Sequence, residues 1–262
     1  MKENLKIVLL SIVAVVLIVL IGLVVCNYVS ATNSEEKNPV ATFELQDYGT
    51  VKFELYPEYA PNTVTNFIAL INAGYYNNKV ISGKDEGALY MARSAEDDFE
   101  GPKVSLIDNE VEEDSDENYE YEINGEFIAN GFEKNTLRHE KGIISLNRSN
   151  YSAYGLTKEG YNSGSAQFSV IMENTSDLDG MYCAFARVIE GMDIFDKIYN
   201  ELEVVAVEDE EDTDSIKEFS TKPVISNASV ETYGVDYGKP EVHEAFNLSE
   251  YLTELYSSYY SN

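Results

Sequence analysis

The stretch ATFELQDYGTVKFELYP, residues 41–57, alternates apolar and polar side chains through two runs, ATFEL and TVKFELY, split by Asp47-Tyr48-Gly49. Successive side chains on a strand point to opposite faces, so each run has one face to bury and one to leave wet. An Asp/Gly turn between two such runs predicts an antiparallel hairpin. Just beyond it, Pro61 suits the first turn of a helix, where its missing N–H costs nothing. Val64, Phe67, Ile68 and Ile71 follow at i, i+3, i+4 and i+7 as one apolar face, and Gly74 supplies a stop. The segment therefore reads as a hairpin followed by a helix laid on a sheet.

The same patterns recur along the chain. KVISGKDEGALYMARS, residues 79–94, is two short apolar runs around a charged, Gly-containing turn. YEINGEF, KGIISLNRS, SAQFSVIM, YCAFARVI and KPVISNASVETYGV read as further short strands. EGMDIFDKIYNEL reads as a second helix, with Met192, Phe195, Ile198 and Tyr199 on one face. Many short strands with two helices predict a mainly β domain over residues 40–235, built as a closed antiparallel barrel capped by helices. Two acidic stretches, 95–120 and 203–218, read as solvated connections, the first as a loop insertion. Asp114, Asp116 and Asn118 begin with EF-hand spacing. Tyr119 then stands where the sharp turn needs Gly, and Gly125 where the bidentate Glu belongs, so no metal site is expected. Asp212 and Asp214 fail in the same way. Residues 236–262 form a Tyr-rich tail with a helical stripe of Leu248, Tyr251, Leu252 and Leu255.

At the other end, Ile7 to Cys26 contains no charge. As a helix it covers roughly 30 Å, the hydrocarbon thickness of a bilayer. Lys2 and Lys6 precede it and Glu35 and Glu36 follow it, which puts the N-terminus in the cytoplasm and the bulk of the chain outside. Residues 1–26 are thus expected to be a transmembrane signal anchor in the cell membrane and 27–39 a polar linker. Two other readings stay open: cleavage after Ala31, which would secrete the domain, and a lipid anchor on Cys26, which Val25 disfavours. All three export the globular part. Acidic residues outnumber basic ones 47 to 18, a formal charge of -29, so nucleic acid is excluded as a natural partner. Cys26 and Cys183 are not expected to pair, and Cys183 reads as a buried thiol. His139 and His243 have no Ser, Cys or carboxylate at catalytic spacing and read as structural.

SAQFSVIM followed by SDLDGMYCAFARVIEGMD resembles the S-Q-F-F-I, L-D-G and F-G-x-V-x-x-G-M-D motifs of the cyclophilin-type peptidyl-prolyl isomerases. FELYPEYAPNTVTNF, GYY and GEFIANGF...LRHEKGIISLNRS resemble other motifs of that family, in the same order and most closely those of its bacterial members. The resemblance spans about residues 40–235. It implies an eight-stranded antiparallel barrel with a helix at each end, no cofactor, and proline-containing or unfolded peptide segments as partners. It also implies catalysed rotation about X–Pro bonds, a process that takes tens to hundreds of seconds unaided. In the family an Arg side chain hydrogen-bonds the twisted amide while an apolar pocket grips the proline ring.

Aligned without a gap on G-[FY]-Y-D-G-x-x-F-H-R-V-I-x-G-F-x-I-Q-G-G-D, the chain has Gly83 at the catalytic Arg, Ala88 at a pocket Phe, Leu89 beside it and Met91 at a pocket Gln. Ser169 replaces the second Phe of S-Q-F-F. Gln167, Phe168 and Leu178 are retained, Tyr182 stands where many members have His, and Asn147 and Arg148 border the groove. Gln167 also has a plainer reading, as a brace to backbone within the barrel. Lys84 is expected to face away from the groove, with Lys79 and Arg93 further off unless a shifted register brings one of them in, so the resemblance implies a groove that has lost its cation. Two functions follow as expectations. The first is an isomerase with weakened catalysis that assists exported proteins; the second is an inactive cyclophilin-like binder or holdase.

Overall fold

The computed structural model describes residues 37–93, 101–205 and 216–260. The hairpin forms as its alternation requires: β1 (Val40–Leu45) and β2 (Gly49–Leu55) pair antiparallel, from Val40↔Glu54 to Leu45↔Gly49. Asp47 and Gly49 adopt positive φ angles of 64° and 118° in the turn, conformations that Asp and Gly tolerate. Phe43, Leu45, Val51, Phe53 and Leu55 all turn inward and are buried.

Helix α1 (Pro61–Asn72) starts at the proline and buries Val64, Phe67, Ile68 and Ile71, with Leu70 beside them. Ala60 offers no side-chain cap. The cap comes from Glu126, whose carboxylate accepts the Asn62 N–H at 2.9 Å and the Thr63 N–H and hydroxyl at 2.7 Å each. A buried carboxylate at the positive end of a helix satisfies donors that the helix itself cannot. Gly74, at φ 73°, ends the element.

The remaining elements are β3 (Val80–Lys84), β4 (Ala88–Arg93), β5 (Tyr121–Glu122), β6 (Ile143–Leu146), α2 (Thr157–Tyr161), β7 (Phe168–Ile171), β8 (Cys183–Glu190), α3 (Met192–Glu201), β9 (Lys217–Glu218), β10 (Ile225–Glu231), β11 (His243–Glu244) and α4 (Leu248–Tyr260). Nine strands form one sheet in the order β10-β1-β2-β8-β6-β7-β4-β3-β9, and β5 pairs with β11 apart from it. The sheet curls until the start of β3 meets the start of β10. Val80 bridges Val224 there, and the Ile81 and Ile225 N–H groups donate to Pro223 and Lys79 carbonyls at 2.9 and 2.8 Å. Inside the curl, Phe43, Phe53, Phe67, Tyr76, Phe168 and Phe185 pack ring against ring. Phe67 and Phe185 lie 5.1 Å apart, and Phe53 and Phe168 6.2 Å. Helix α3 adds Phe195 and Ile198 to this core, with Met192 and Tyr199 half-buried beside them, as its stripe predicts. Cys183 is buried too, and burial pushes its thiol up to about 12.

Several expectations change. Among the described residues the sheet holds nine strands where eight were expected, because β9, from the second acidic connection, adds itself to the β3 edge. Four α-helices stand among the described residues instead of two, and YEINGEF contributes only the two residues of β5. Residues 101–120 are not simply a solvated loop. Lys103 bridges Glu120, Val104 is buried, and Ile107 and Val111 pack on the core, so the apolar members of VSLIDNEV anchor the acidic ones. The apolar run 7–26 and the linker up to residue 36 lie outside the described residues. No helix among those described is long and apolar enough to cross a membrane.

Candidate active site

Pairing across β4, β7 and β6 sorts their side chains onto two faces, since ladder partners point the same way. On one face, Leu89 pairs with Val170 and Met91 with Phe168, all fully buried in the main core. On the other, Ala88 pairs with Ile171 and Tyr90 with Ser169, which in turn pairs with Ser145 on β6. These five residues floor a cleft of about 850 Å³, walled by the Asp85-Glu86-Gly87 turn and by residues of the 175–182 segment.

The cleft gathers seven of the residues that the sequence marks: Ala88, Asn147, Arg148, Gln167, Ser169, Leu178 and Tyr182. Leu89, Met91 and Phe168 are a correction. They lie on the core side of their strands, and Phe168 sits at the centre of the aromatic cluster, 5.3 Å from Phe67 and 5.8 Å from Tyr76. Tyr90, unmarked by the sequence, takes the cleft position beside Ala88. Its hydroxyl donates to Asp85 Oδ2 at 2.6 Å, and burial together with that bond holds its pKa well above the usual phenol range.

The floor is partly polar, where the resemblance implies an apolar pocket whose two Phe positions are Ala88 and Ser169 in this chain. Ser169 Oγ donates to Asn147 Oδ1 at 2.7 Å, and Ser145 Oγ lies 2.9 Å from His139 Nε2. His139 Nδ1 in turn lies 3.2 Å from Asp179 Oδ1. This Ser–His–Asp array is not legible in the sequence, because Asp179 is forty residues from His139 and only the fold unites them. With Ser145 3% exposed and the His139 side chain wholly buried, the array pins β6 to two loops. Burial lowers the His139 pKa, opposed by Asp179, so the ring is neutral at pH 7.

Among the described residues two guanidinium groups border the cleft, that of Arg148 and that of Arg93, the second of which was expected to lie further off. Arg148 lies 4.2 Å from the Tyr182 ring, 4.8 Å from Tyr161 and 5.6 Å from Phe127, and donates to the Met181 and Ser149 carbonyls. Arg93 reaches Glu218 on β9 at 3.4 Å. Lys84 does face away, over the Tyr199 ring and bonded to its carbonyl oxygen, and Lys79 sits over Tyr75. Gly83 pairs with Tyr90 on one side and Glu218 on the other, so it adjoins the cleft. A side chain there would run into the Lys217 carbonyl and come within 2.9 Å of Glu218 Cα.

Residues 40–227 match the family model for cyclophilin-type peptidyl-prolyl cis-trans isomerases. The chain belongs to that family. Similar curated cyclophilins include the peptidyl-prolyl cis-trans isomerase CYP23 of Arabidopsis thaliana, 26% identical over 58% of this chain and 56% of its own length. The peptidyl-prolyl cis-trans isomerase-like 2 of Neurospora crassa is 28% identical over 55% of this chain, which spans 20% of that protein. The peptidyl-prolyl cis-trans isomerase B of Bacillus subtilis is 25% identical over 60% of this chain and 89% of its own length. Among solved structures, the Cryptosporidium parvum cyclophilin in the presence of the dipeptide Ala-Pro shares the cyclophilin fold. Its TM-score is 0.53 at 17% identity, over 73% of this chain and 98% of that one.

A second cleft, about 1260 Å³, opens between the β5–β11 ladder, residues 149–165 and α4. Glu122 lines it, its carboxylate accepting the Phe246 N–H at 3.1 Å, and burial raises its pKa to about 7.

Proposed function

We propose that this cyclophilin is a peptidyl-prolyl cis-trans isomerase with weakened catalysis, acting on proline-containing segments of exported proteins. The observation that carries the reading is the cleft over β4, β7 and β6, which unites Gln167, Leu178 and Tyr182 with a guanidinium-bearing wall. Weakening is supported by its floor. Ala88 and Ser169 offer little apolar surface, and burying a large side chain in contact with a proline ring is worth about 1.5–3 kcal/mol. The apolar run 7–26 supports a tether that holds the domain outside the cytoplasm.

Exchange NMR on the full-length protein with an Ala-Pro tetrapeptide tests the activity. Catalysed exchange well below that of an ordinary cyclophilin at equal concentration is the expected result; exchange at the uncatalysed rate discards it. A second reading, a binder without turnover, is favoured by the Ser169–Asn147 bond, which spends on itself the polar groups a substrate would use. Peptide-dependent shifts at Gln167 and Tyr182 without exchange would select it.

A further inference from the structure

We infer that Arg93, positioned by Glu218, is the hydrogen-bond donor to the twisted amide in this cleft, an assignment that rests on the isomerase reading. Rotating an X–Pro bond breaks the conjugation between nitrogen and carbonyl and localises the lone pair on the prolyl nitrogen. No covalent bond forms or breaks. A cationic N–H aimed at that nitrogen binds the twisted state more strongly than the planar one, which is how such a donor accelerates the step.

Arg148 and Arg93 differ in their freedom to do this. The Arg148 guanidinium is stacked against three rings and committed to two carbonyl oxygens, so reaching a substrate would forfeit those contacts. Arg93 is 35% exposed and, among the described residues, has a single long contact to Glu218, while a guanidinium carries five donors. Glu218 also holds Lys222 at 3.0 Å on its other oxygen, which divides its pull.

The backbone places Arg93 there by a deliberate irregularity. Strict alternation along β4 would send residue 92 to the cleft and residue 93 to the core. Val80 instead pairs with Arg93 and Ile81 with Met91, so Ala92 is the extra residue of a bulge. Ala92 carries a left-handed φ of 69° and is buried. That conformation is strained for a non-glycine residue, and bulges commonly serve to re-aim a side chain. Here the side chain re-aimed is Arg93. The carboxylate that receives it belongs to the residue opposite Gly83, so the charge absent from β3 is delivered next to it from β4.

The test uses exchange NMR and steady-state kinetics on full-length wild type, Arg93→Gln, Arg93→Lys, Glu218→Gln and Arg148→Gln, with the same Ala-Pro tetrapeptide. Arg93→Gln is expected to lower kcat by about 100-fold or more with KM changed less than threefold, as loss of one preorganised donor does. Arg93→Lys keeps the charge without the fork and is expected to fall between, roughly tenfold down. Glu218→Gln should lower kcat less than Arg93→Gln and leave the Arg93→Gln background unchanged. Should Arg93→Gln not fold, Arg93→Lys decides. Wild-type kcat in Arg93→Gln or in Arg93→Lys overturns the assignment, as does a larger kcat loss in Arg148→Gln. A wild type without catalysed exchange removes the isomerase reading itself, and Arg93 with it.

Discussion

Gly83 and Glu218 face each other across the β3–β9 ladder so closely that a β-carbon on residue 83 would stand 2.9 Å from Glu218 Cα. Placing arginine at this position, the substitution that the family resemblance suggests, therefore meets backbone. Gly83→Arg is expected to lose about 1–3 kcal/mol by overpacking and to show no rise in catalysed exchange. Urea denaturation and the exchange measurement check the two halves separately; a stable, faster variant would refute both.

Phe168 is placed in the core, so its truncation should act on stability and not on ligand. Phe168→Ala is expected to cost about 3–5 kcal/mol, because its ring meets Phe43, Phe53, Phe67 and Tyr76. Peptide affinity, titrated at a temperature where the variant remains folded, should stay within about twofold.

Glu126 joins the loop after β5 to the first turn of α1. Glu126→Gln turns an amide N–H toward backbone N–H groups and is expected to cost about 1–3 kcal/mol. A shifted urea midpoint at unchanged slope is the signature. No shift would mean that water caps the helix as well as the carboxylate does.

Glu122 and His139 give opposite pH dependences. The Glu122 carboxyl keeps its proton in the fold to about pH 7 but loses it near 4.5 when unfolded, so it destabilises the fold as pH rises between these values. Glu122→Gln removes that charge and is expected to gain ~1 kcal/mol at pH 8 after solvent screening, and nothing at pH 4.5. His139 has its pKa lowered by burial, so its contribution is fully present above about 6.5 and fades as pH falls through the folded value. Denaturation curves from pH 4.5 to 8 on both proteins separate the two limbs.

The parts of the fold that follow a period were legible in the sequence. Residues 41–57, the stripe from Val64 to Ile71 and the stripe from Met192 to Tyr199 all lie as their spacing dictates, because burial of one face leaves little choice. Parity failed at 88–93. The gapless alignment put Leu89 and Met91 in the groove, whereas pairing with β7 turns them inward and brings out Tyr90. A bulge leaves no periodic trace, so the swing of Arg93 was conceivable only as a shift of register, and its place at Ala92 was not legible. So was β9, two residues at the end of an acidic run whose composition describes only a solvated loop. Their pairing with Gly83 depends on the neighbouring strand and not on their own character.

The added edge strand makes residues 83 and 217–218 interdependent. With glycine at 83, the backbone of β9 lies where a β-carbon there would stand, and no substitution at 83 alone makes room for one. A larger residue at 83 would require the neighbouring strand to withdraw first, which would also unmoor Arg93.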